Sequence, residues 1–457
     1  MYNVLIRPLV KEDALTSYLW RNDSKIWEFT GSKPDIVITK EIETAWIEKA
    51  LKDKTSRRFA ILCDQEYVGN VQLTNINDDC AEFHIFIGKK ELWGKGISQL
   101  VTYQILYYAK EVLKIKQVYL TVNPKNIAAI KSYLKNNFVI TDQNEEEVRM
   151  SVLLSNLPET TVSIFVMVYN HANYLKDCIN GLLRQKTTFN YDIVIGEDCS
   201  EDNSRQILLD YQKLYPGKFK LLLYAQNIGA VKNQNEIFKN CKGKYIAICE
   251  GDDYWIDPLK LQKQVNFLEE NLDFSIHSGH AQRLIDDKLS DIIGNSHRKN
   301  IYQIQDFYVK NNLVACTSMF RNYNFHFDYF KNIYFGDWML YADILNSFPN
   351  SMAYVSEECY SVYRVNEYGA MSQLVGVKSD LKHFFQIERI NQYFKTNYTD
   401  KDISIINHYA INVYKHYLIN QELRKAFAIF LRHFKLINFK VPFRKYASYF
   451  RYRKQLN

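Results

Sequence analysis

No two of the eight cysteines form a CxxC pair, and none has companion histidines at zinc-ligand spacing. Cys63, Cys80, Cys178, Cys199, Cys241, Cys249, Cys316 and Cys359 are scattered, several inside apolar runs, which argues for reduced, buried thiols and against a disulfide framework or zinc module. No apolar run approaches the roughly 18 residues that span a bilayer. The opening MYNVLIRPLVKED has no basic segment followed by an apolar stretch, so a cytoplasmic protein is expected. Internal repeats and low-complexity tracts are also absent.

What is present is a globular composition, 47% hydrophobic and 24% charged, spread over 457 residues. At roughly 100 to 200 residues per domain, that length predicts two or three units. The net charge of +7 is uneven: Gln421 to Asn457 holds ten Lys/Arg against the single acid Glu422, and the remainder is near neutral. A general affinity for nucleic acid is therefore not expected, whereas a local basic surface at the C-terminal end is.

Residues 1–153 read as mixed strands and helices, and 154–161, with Asn156 and Pro158, read as a linker. From Val162 an apolar strand feeds a helix whose Leu175, Cys178, Ile179, Leu182 and Leu183 recur at helical spacing. The unit then repeats: strand Tyr191–Ile195, helix from Ser204, strand Phe219–Tyr224, helix Ala230–Lys239, strand Tyr245–Cys249, helix Pro258–Asn271. Such alternation predicts an α/β fold with a mainly parallel sheet over 162–375, in which ligands bind beyond the C-terminal strand ends. Tyr169-Asn170, Glu197-Asp198, Asn227 with Gly229, and Gly251-Asp252-Asp253 follow those strand ends. Adjacent carboxylates at a buried strand end repel each other, and a hard cation such as Mg²⁺ or Mn²⁺, with a diphosphate completing its shell, offsets them.

The ordered motifs SIFVMVYNHANYLKDCINGLLRQ, IGEDCSEDNS, QNIGAVKNQN and AICEGDDYW resemble the nucleotide-binding half of family 2 glycosyltransferases with the GT-A, Rossmann-like fold, over roughly residues 161 to 370. The resemblance implies that Tyr169 stacks on the base of a UDP- or dTDP-linked nucleotide sugar, Asp198 bonds that base, Asn227 and Lys232 line the nucleotide site with Lys232 approaching the diphosphate, Asp252 meets the ribose and Asp253 ligates the metal. The segment YFGDWMLYADIL resembles the one that supplies the catalytic carboxylate of inverting members, which implies Asp337 as base. In VYRVNEYGAMS, Asn366 stands where the family often has a histidine near the metal.

In the first part, the strand AEFHIFIG precedes KKELWGKGISQLVTYQILYYAKEVL, whose Gly94 and Gly96 stand at the mouth of a helix expected over Ile97–Val112. Small residues there admit an anionic diphosphate to backbone N–H groups and a helix end. With the following strand QVYLTV and NPKNIAAIKSYLKNNF, residues 3 to 152 resemble the GNAT acetyltransferases. The resemblance implies an acetyl-CoA site at Leu92, Trp93, Gly94, Lys95, Gly96, Ile97 and Asn126, with Tyr133 as acid; Glu91 departs from the Arg or Gln that usually opens the loop. Glu82 or His84, on one face of their strand, is the base, and the residues do not choose between them. Leu19–Ile36 resembles members that acetylate amino groups on nucleotide-linked sugars.

Beyond 376 a helical basic segment is expected. Phe427, Phe430, Leu431, Phe434 and Ile437 make an apolar stripe flanked by Arg424, Lys425, Arg432 and Lys435, and two readings stand: a helix lying on an anionic membrane surface, or a stripe packed on the transferase with its basic side in water. The combined expectation is a bifunctional enzyme of surface-glycan assembly that N-acetylates an amino-sugar acceptor and transfers a sugar to a glycan or lipid-linked acceptor. The alternatives are a glycosyltransferase with a non-catalytic GNAT-like scaffold, or a protein or RNA acetyltransferase with a glycan-binding appendage.

Overall fold

The computed structural model describes residues 1–29, 35–157, 160–294, 299–366, 374–394 and 396–451. They fall into two compact units, the first made of 1–228, 239–246 and 258–263, the second of 229–238, 247–257 and 264–457.

The first unit opens with a seven-stranded sheet of order β1 (Val4–Pro8), β2 (Arg57–Cys63), β3 (Glu66–Thr74), β4 (Cys80–Ile87), β5 (Gln117–Val122), β7 (Val148–Leu153), β6 (Val139–Gln143). Asp64 and Gln65 both take positive φ, 49° and 70°, the two-residue turn whose twist suits the β2–β3 hairpin. All neighbours run antiparallel except β4 and β5, which pair in parallel only from Cys80–Glu82 to Gln117–Tyr119. Beyond Glu82 that ladder stops and the two strands part, leaving the second half of β4 beside the glycine loop. The helix expected over Ile97–Val112 is α-helical over Ile97–Tyr108, then widens into a π turn at Ala109–Leu113 that Lys114 closes at φ 58°.

β7 ends at Leu153 and β8 (Val162–Val168) begins the next sheet; of the expected linker, 158–159 lie outside the described residues. β8 pairs in parallel with β9 (Tyr191–Glu197), and β9 with β10 (Phe219–Leu223). β9 is buried throughout and β8 nearly so, as strands covered on both faces must be. The acetyltransferase-like sheet is tied to this part of the same unit. Asn3 Nδ2 donates to the carbonyls of Leu183 and of Gln185, the latter at 3.1 Å. Lys186 Nζ lies 3.0 Å from Asp64 Oδ1, and the hydroxyls of Tyr103 and Thr160 are bonded.

β11 (Tyr245–Glu250) starts in the first unit and ends in the second. The parallel pairing expected after Val162 is found in β8, β9 and β10, and within the second unit the pairing is mixed. β13 (Phe274–Ile285) pairs in parallel with β17 (Met352–Val365), but antiparallel with β14 (Lys288–Ile293) and β16 (Met319–Arg321). β17 also pairs antiparallel with β12 (Tyr254–Trp255) and β15 (Ile301–Tyr302). The helix Gly336–Ser347 is buried from Trp338 to Leu345, as expected of a helix enclosed by its neighbours, and its buried Asp343 is bonded to Tyr323 and His326 at 2.7 Å each.

Four further helices, Gly376–Tyr393, Asp400–Ile419, Leu423–Ile437 and Phe443–Arg451, end the described chain. The second begins with a capping box between Thr399 and Asp402. The apolar stripe expected on the third is divided. Ile437 turns inward with Ala426, Ile429 and His433, while Phe427 and Leu431 are exposed, because the inward face is narrower than the apolar sector. Among the described residues no helix is long and apolar enough to cross a membrane. Residues 30–34 of the Leu19–Ile36 segment and 367–373, which include the whole motif tail after Asn366, lie outside the described residues.

Candidate functional site

In the first unit the loops after β8 and β9 are stitched together by backbone donors. Asn170 N donates to Ser200 Oγ at 3.0 Å, Glu201 N to Asn170 Oδ1 at 2.9 Å, and Ala172 N to Asp202 Oδ2 at 2.9 Å. This presents Tyr169 at the surface, 43% exposed. Asp198 is buried at the neighbouring strand end and its Oδ1 accepts from Ile228 N at 2.7 Å, drawing in the segment that carries exposed Asn227. Glu197 is fully buried and paired with Arg205, with Ser200 N donating to its Oε1.

The second unit gathers a carboxylate cluster. Asp253 is buried; its Oδ1 accepts from Arg364 N at 2.8 Å, and its Oδ2 has no nearby donor besides the weak Cys316 thiol. Asp252 is half-buried, with Asn366 Nδ2 donating to its Oδ2 at 2.9 Å and Arg364 Nε to its carbonyl at 3.1 Å. Asp337, in the first turn of the helix Gly336–Ser347, accepts from Asn311 Nδ2 at 2.7 Å and from Trp338 N at 2.8 Å.

Glu250, the last residue of β11, was not singled out from the sequence, yet burial, then Asp252 and Asp337, push its carboxyl up to about 8. Burial, then Asp252 and Glu250, raise Asp253 well above the carboxylate range. Burial also raises Asp337, against the donors at Trp338 and Asn311. Three acids held this way favour uptake of positive charge, as a proton or a cation. Among the described residues no three or more His, Cys, Asp or Glu side chains form a ready metal cage. Asp253, with its under-satisfied oxygen, suits a cation whose remaining ligands come from a phosphate group or water. Lys232 lies exposed early in the helix Ala230–Asn240.

Arg364 and Asn311 were also missed. Arg364 stood in view within the VYRVNEYGAMS motif, two residues before Asn366. For Asn311 no local signal exists, since it reaches Asp337 across 26 residues.

At the N-terminal site, Gly94 and Gly96 take φ 72° and 80°, conformations that glycine adopts without penalty, and a Cβ at either would meet nothing within 4 Å. The loop Leu92–Ile97 is thus held open by backbone conformation rather than by crowding, and Gly96 caps the helix Ile97–Tyr108. Trp93 is 45% exposed, its indole donating to Ile87 O at 2.9 Å; Lys95 is exposed as well. Asn126 Oδ1 accepts from Ala129 N at 3.2 Å and caps the next helix.

Tyr133 is buried against Phe83 and Phe138, at 5.7 and 5.8 Å between ring centroids, and burial raises its hydroxyl. Glu82 and His84 share a face, with His84 Nε2 3.6 Å from Glu82 Oε2 and 3.0 Å from Thr74 Oγ1. Asn75 Nδ2 donates to Glu82 Oε2 at 2.8 Å. Burial lowers His84 below the usual imidazole value despite Glu82, so at neutral pH the ring carries a lone pair.

Residues 163–328 match the model of Glycosyl transferase family 2, and residues 3–139 match that of the Acetyltransferase (GNAT) domain. An uncharacterized protein of Mycobacterium tuberculosis is 29% identical over 210 residues, 46% of this chain and 60% of that protein. The putative teichuronic acid biosynthesis glycosyltransferase TuaG of Bacillus subtilis is 27% identical over 158 residues, 35% of this chain and 60% of that protein. The chain thus spans 60% of the length of these curated relatives. Among solved structures, the spermidine N-acetyltransferase of Vibrio cholerae in complex with CoA and spermine covers 34% of this chain and 96% of its own, with 25% identity and a TM-score of 0.31. S. aureus TarS 1-349 in complex with UDP-GlcNAc covers 65% of this chain and 88% of its own, with 16% identity and a TM-score of 0.45. The chain therefore joins two family domains, a GNAT acetyltransferase domain followed by a family 2 glycosyltransferase domain.

Proposed function

We propose that the chain is a bifunctional enzyme of surface-glycan assembly. Its family 2 half transfers a sugar, with inversion, from a UDP- or dTDP-linked donor to a glycan or lipid-linked acceptor. Its GNAT half moves an acetyl group from acetyl-CoA to the amino group of a sugar. The observation that carries the reading is the gathering of Glu250, Asp253 and Asp337 around Asp252: burial raises the proton affinity of those three, and neighbouring carboxylates add to it at Glu250 and Asp253.

In the glycosyl transfer, Asp337 takes the proton of the acceptor hydroxyl as its oxygen attacks the anomeric carbon, and the nucleoside diphosphate departs. Asn311 holds one oxygen of Asp337 and leaves the group a fixed direction. Asp253, supported by Asp252, would hold Mg²⁺ or Mn²⁺, which supplies positive charge to the leaving diphosphate. Tyr169 and Asp198 would take the base, Asn227 and Lys232 the rest of the nucleotide. In the acetyl transfer, Glu82 or His84 takes the amine proton, Tyr133 returns one to the leaving thiolate, and the Leu92–Ile97 loop with Asn126 receives the cofactor.

A second reading keeps the GNAT domain as a scaffold without catalysis. It is favoured by Tyr133, which sits among aromatic rings like a core residue, and by the ties of Asn3 to the carbonyls of Leu183, the last residue of the helix Leu175–Leu183, and of Gln185 just beyond it. The test is paired: nucleoside diphosphate release with a panel of nucleotide sugars, with and without Mn²⁺, and thiol release from acetyl-CoA with a panel of amino sugars. Cation-dependent release lost in Asp337→Asn supports the glycosyl transfer; release that ignores both cation and substitution overturns it. Absence of thiol release with every amine leaves the scaffold reading.

A further inference from the structure

The helix Leu423–Ile437 carries three sectors. Ala426, Ile429, His433 and Ile437 face inward, where His433 Nδ1 meets Tyr446 Oη at 2.8 Å. Leu423, Phe427 and Leu431, spaced by four, form an outward apolar row, 45%, 59% and 47% exposed. Arg424 and Lys435 border that row and are exposed as well.

The row continues past the end of the helix. Ring contacts pass from Phe427 to Phe430 at 6.2 Å, to Phe443 and Phe434 at 6.0 Å each, and to Phe439 at 5.6 Å. Phe439 is 85% exposed, on the turn Asn438–Lys440. Monomeric soluble proteins rarely leave a contiguous aromatic ridge in water. Around this one stand Lys440, Arg444, Lys445 and Arg451, all exposed.

We infer that this ridge is a membrane-docking face that seats phenylalanine side chains among acyl chains while its lysines and arginines meet anionic lipid headgroups. Charge decides for lipid over a second copy of the chain. The two acids near the face are already engaged, Glu422 with Lys425 at 2.6 Å and Glu388 with Arg432 at 2.7 Å. Two such faces brought together would therefore oppose cation to cation. A lipid interface instead accepts apolar rings and basic heads at one depth. The inference adds a surface to the proposed function and rests on that reading only for its purpose, bringing the transferase to a lipid-linked acceptor.

Flotation of the full-length chain tests it without any sugar donor or acceptor, so its outcome is separate from that of glycosyl transfer. The probes are vesicles of phosphatidylcholine alone and vesicles with roughly a third phosphatidylglycerol. The chain should float with the anionic vesicles, and less so as salt rises. Phe427→Ser with Phe439→Ser should lower partitioning at least roughly tenfold, and Lys440→Gln with Lys445→Gln roughly thirtyfold. Both pairs change exposed side chains, and an unchanged circular dichroism spectrum separates lost binding from lost fold. Equal binding to both vesicle types, or variants that float like the parent, would overturn the inference. So would a chain that stays unbound yet forms a dimer by light scattering that Phe439→Ser dissolves.

Discussion

The two candidate sites are built in opposite ways. At the GNAT loop, left-handed glycines hold the backbone open, and the polar groups nearby, Glu82 and His84, are half in solvent. At the end of β11 the backbone is ordinary strand, and the tension is electrostatic: Glu250, Asp252 and Asp253 crowd together with Asp337 in reach. The first arrangement can stand ready without its ligand. The second is at ease only with positive charge added. A backbone cradle depends less on the identity of its side chains, whereas a carboxylate cluster responds to each charge within it.

The largest expected effect lies at the carboxylates. Asp337→Asn should lower glycosyl transfer by roughly 10²- to 10⁴-fold in kcat, with thiol release from acetyl-CoA unchanged in the same preparation. A parallel fall in both activities would break the separation of the two sites.

Next comes the acid proposed for acetyl transfer, where Tyr133→Phe should cost about 10²-fold in thiol release while nucleoside diphosphate release holds. The base can be resolved by pH. Because His84 titrates below the usual imidazole value, kcat/KM governed by it should be level at neutral pH and fall only as the pH drops below about 6.5. His84→Gln should remove that limb if His84 is the base, and Glu82→Gln should remove activity at all pH values if Glu82 is.

A smaller effect concerns stability. Asp253→Asn removes one of several repelling charges, so without divalent cation the variant should be as stable as the parent or more stable by about 1 to 2 kcal/mol at most, read as an equal or higher melting temperature. The rise in melting temperature that Mn²⁺ with nucleoside diphosphate gives the parent should be lost in the variant. A variant less stable than the parent under both conditions would mean that Asp253 serves mainly as a partner for Arg364 N.

The smallest concerns Gly96→Ala. At φ 80° an alanine costs roughly 1 kcal/mol of backbone strain, although its Cβ meets nothing. The KM for acetyl-CoA should rise a few-fold with glycosyl transfer untouched.

Much of this was legible in the chain itself. The apolar runs at Val162, Tyr191 and Tyr245 are short, rich in Ile and Val and bounded by turn residues, which points to buried strands, and their alternation with helical stretches points to parallel pairing. The glycine spacing at Gly94 and Gly96 and the strand-end acids Asp198, Asp252 and Asp253 announced their positions for the same reason: each depends on residues near in sequence.

What sequence could not decide depends on distance along the chain. Glu250 looks like the end of a strand until Asp337, far downstream, adds its field; Asn311 is a loop residue until it bonds Asp337. The mixed pairing of β13 and β17 is set by which edges meet, a choice local pattern does not encode. The C-terminal stripe read as one apolar face, and only packing against other helices divided it into an inward row and an exposed ridge. Periodicity fixes which residues share a side of a helix, but burial of that side depends on the area its neighbours cover.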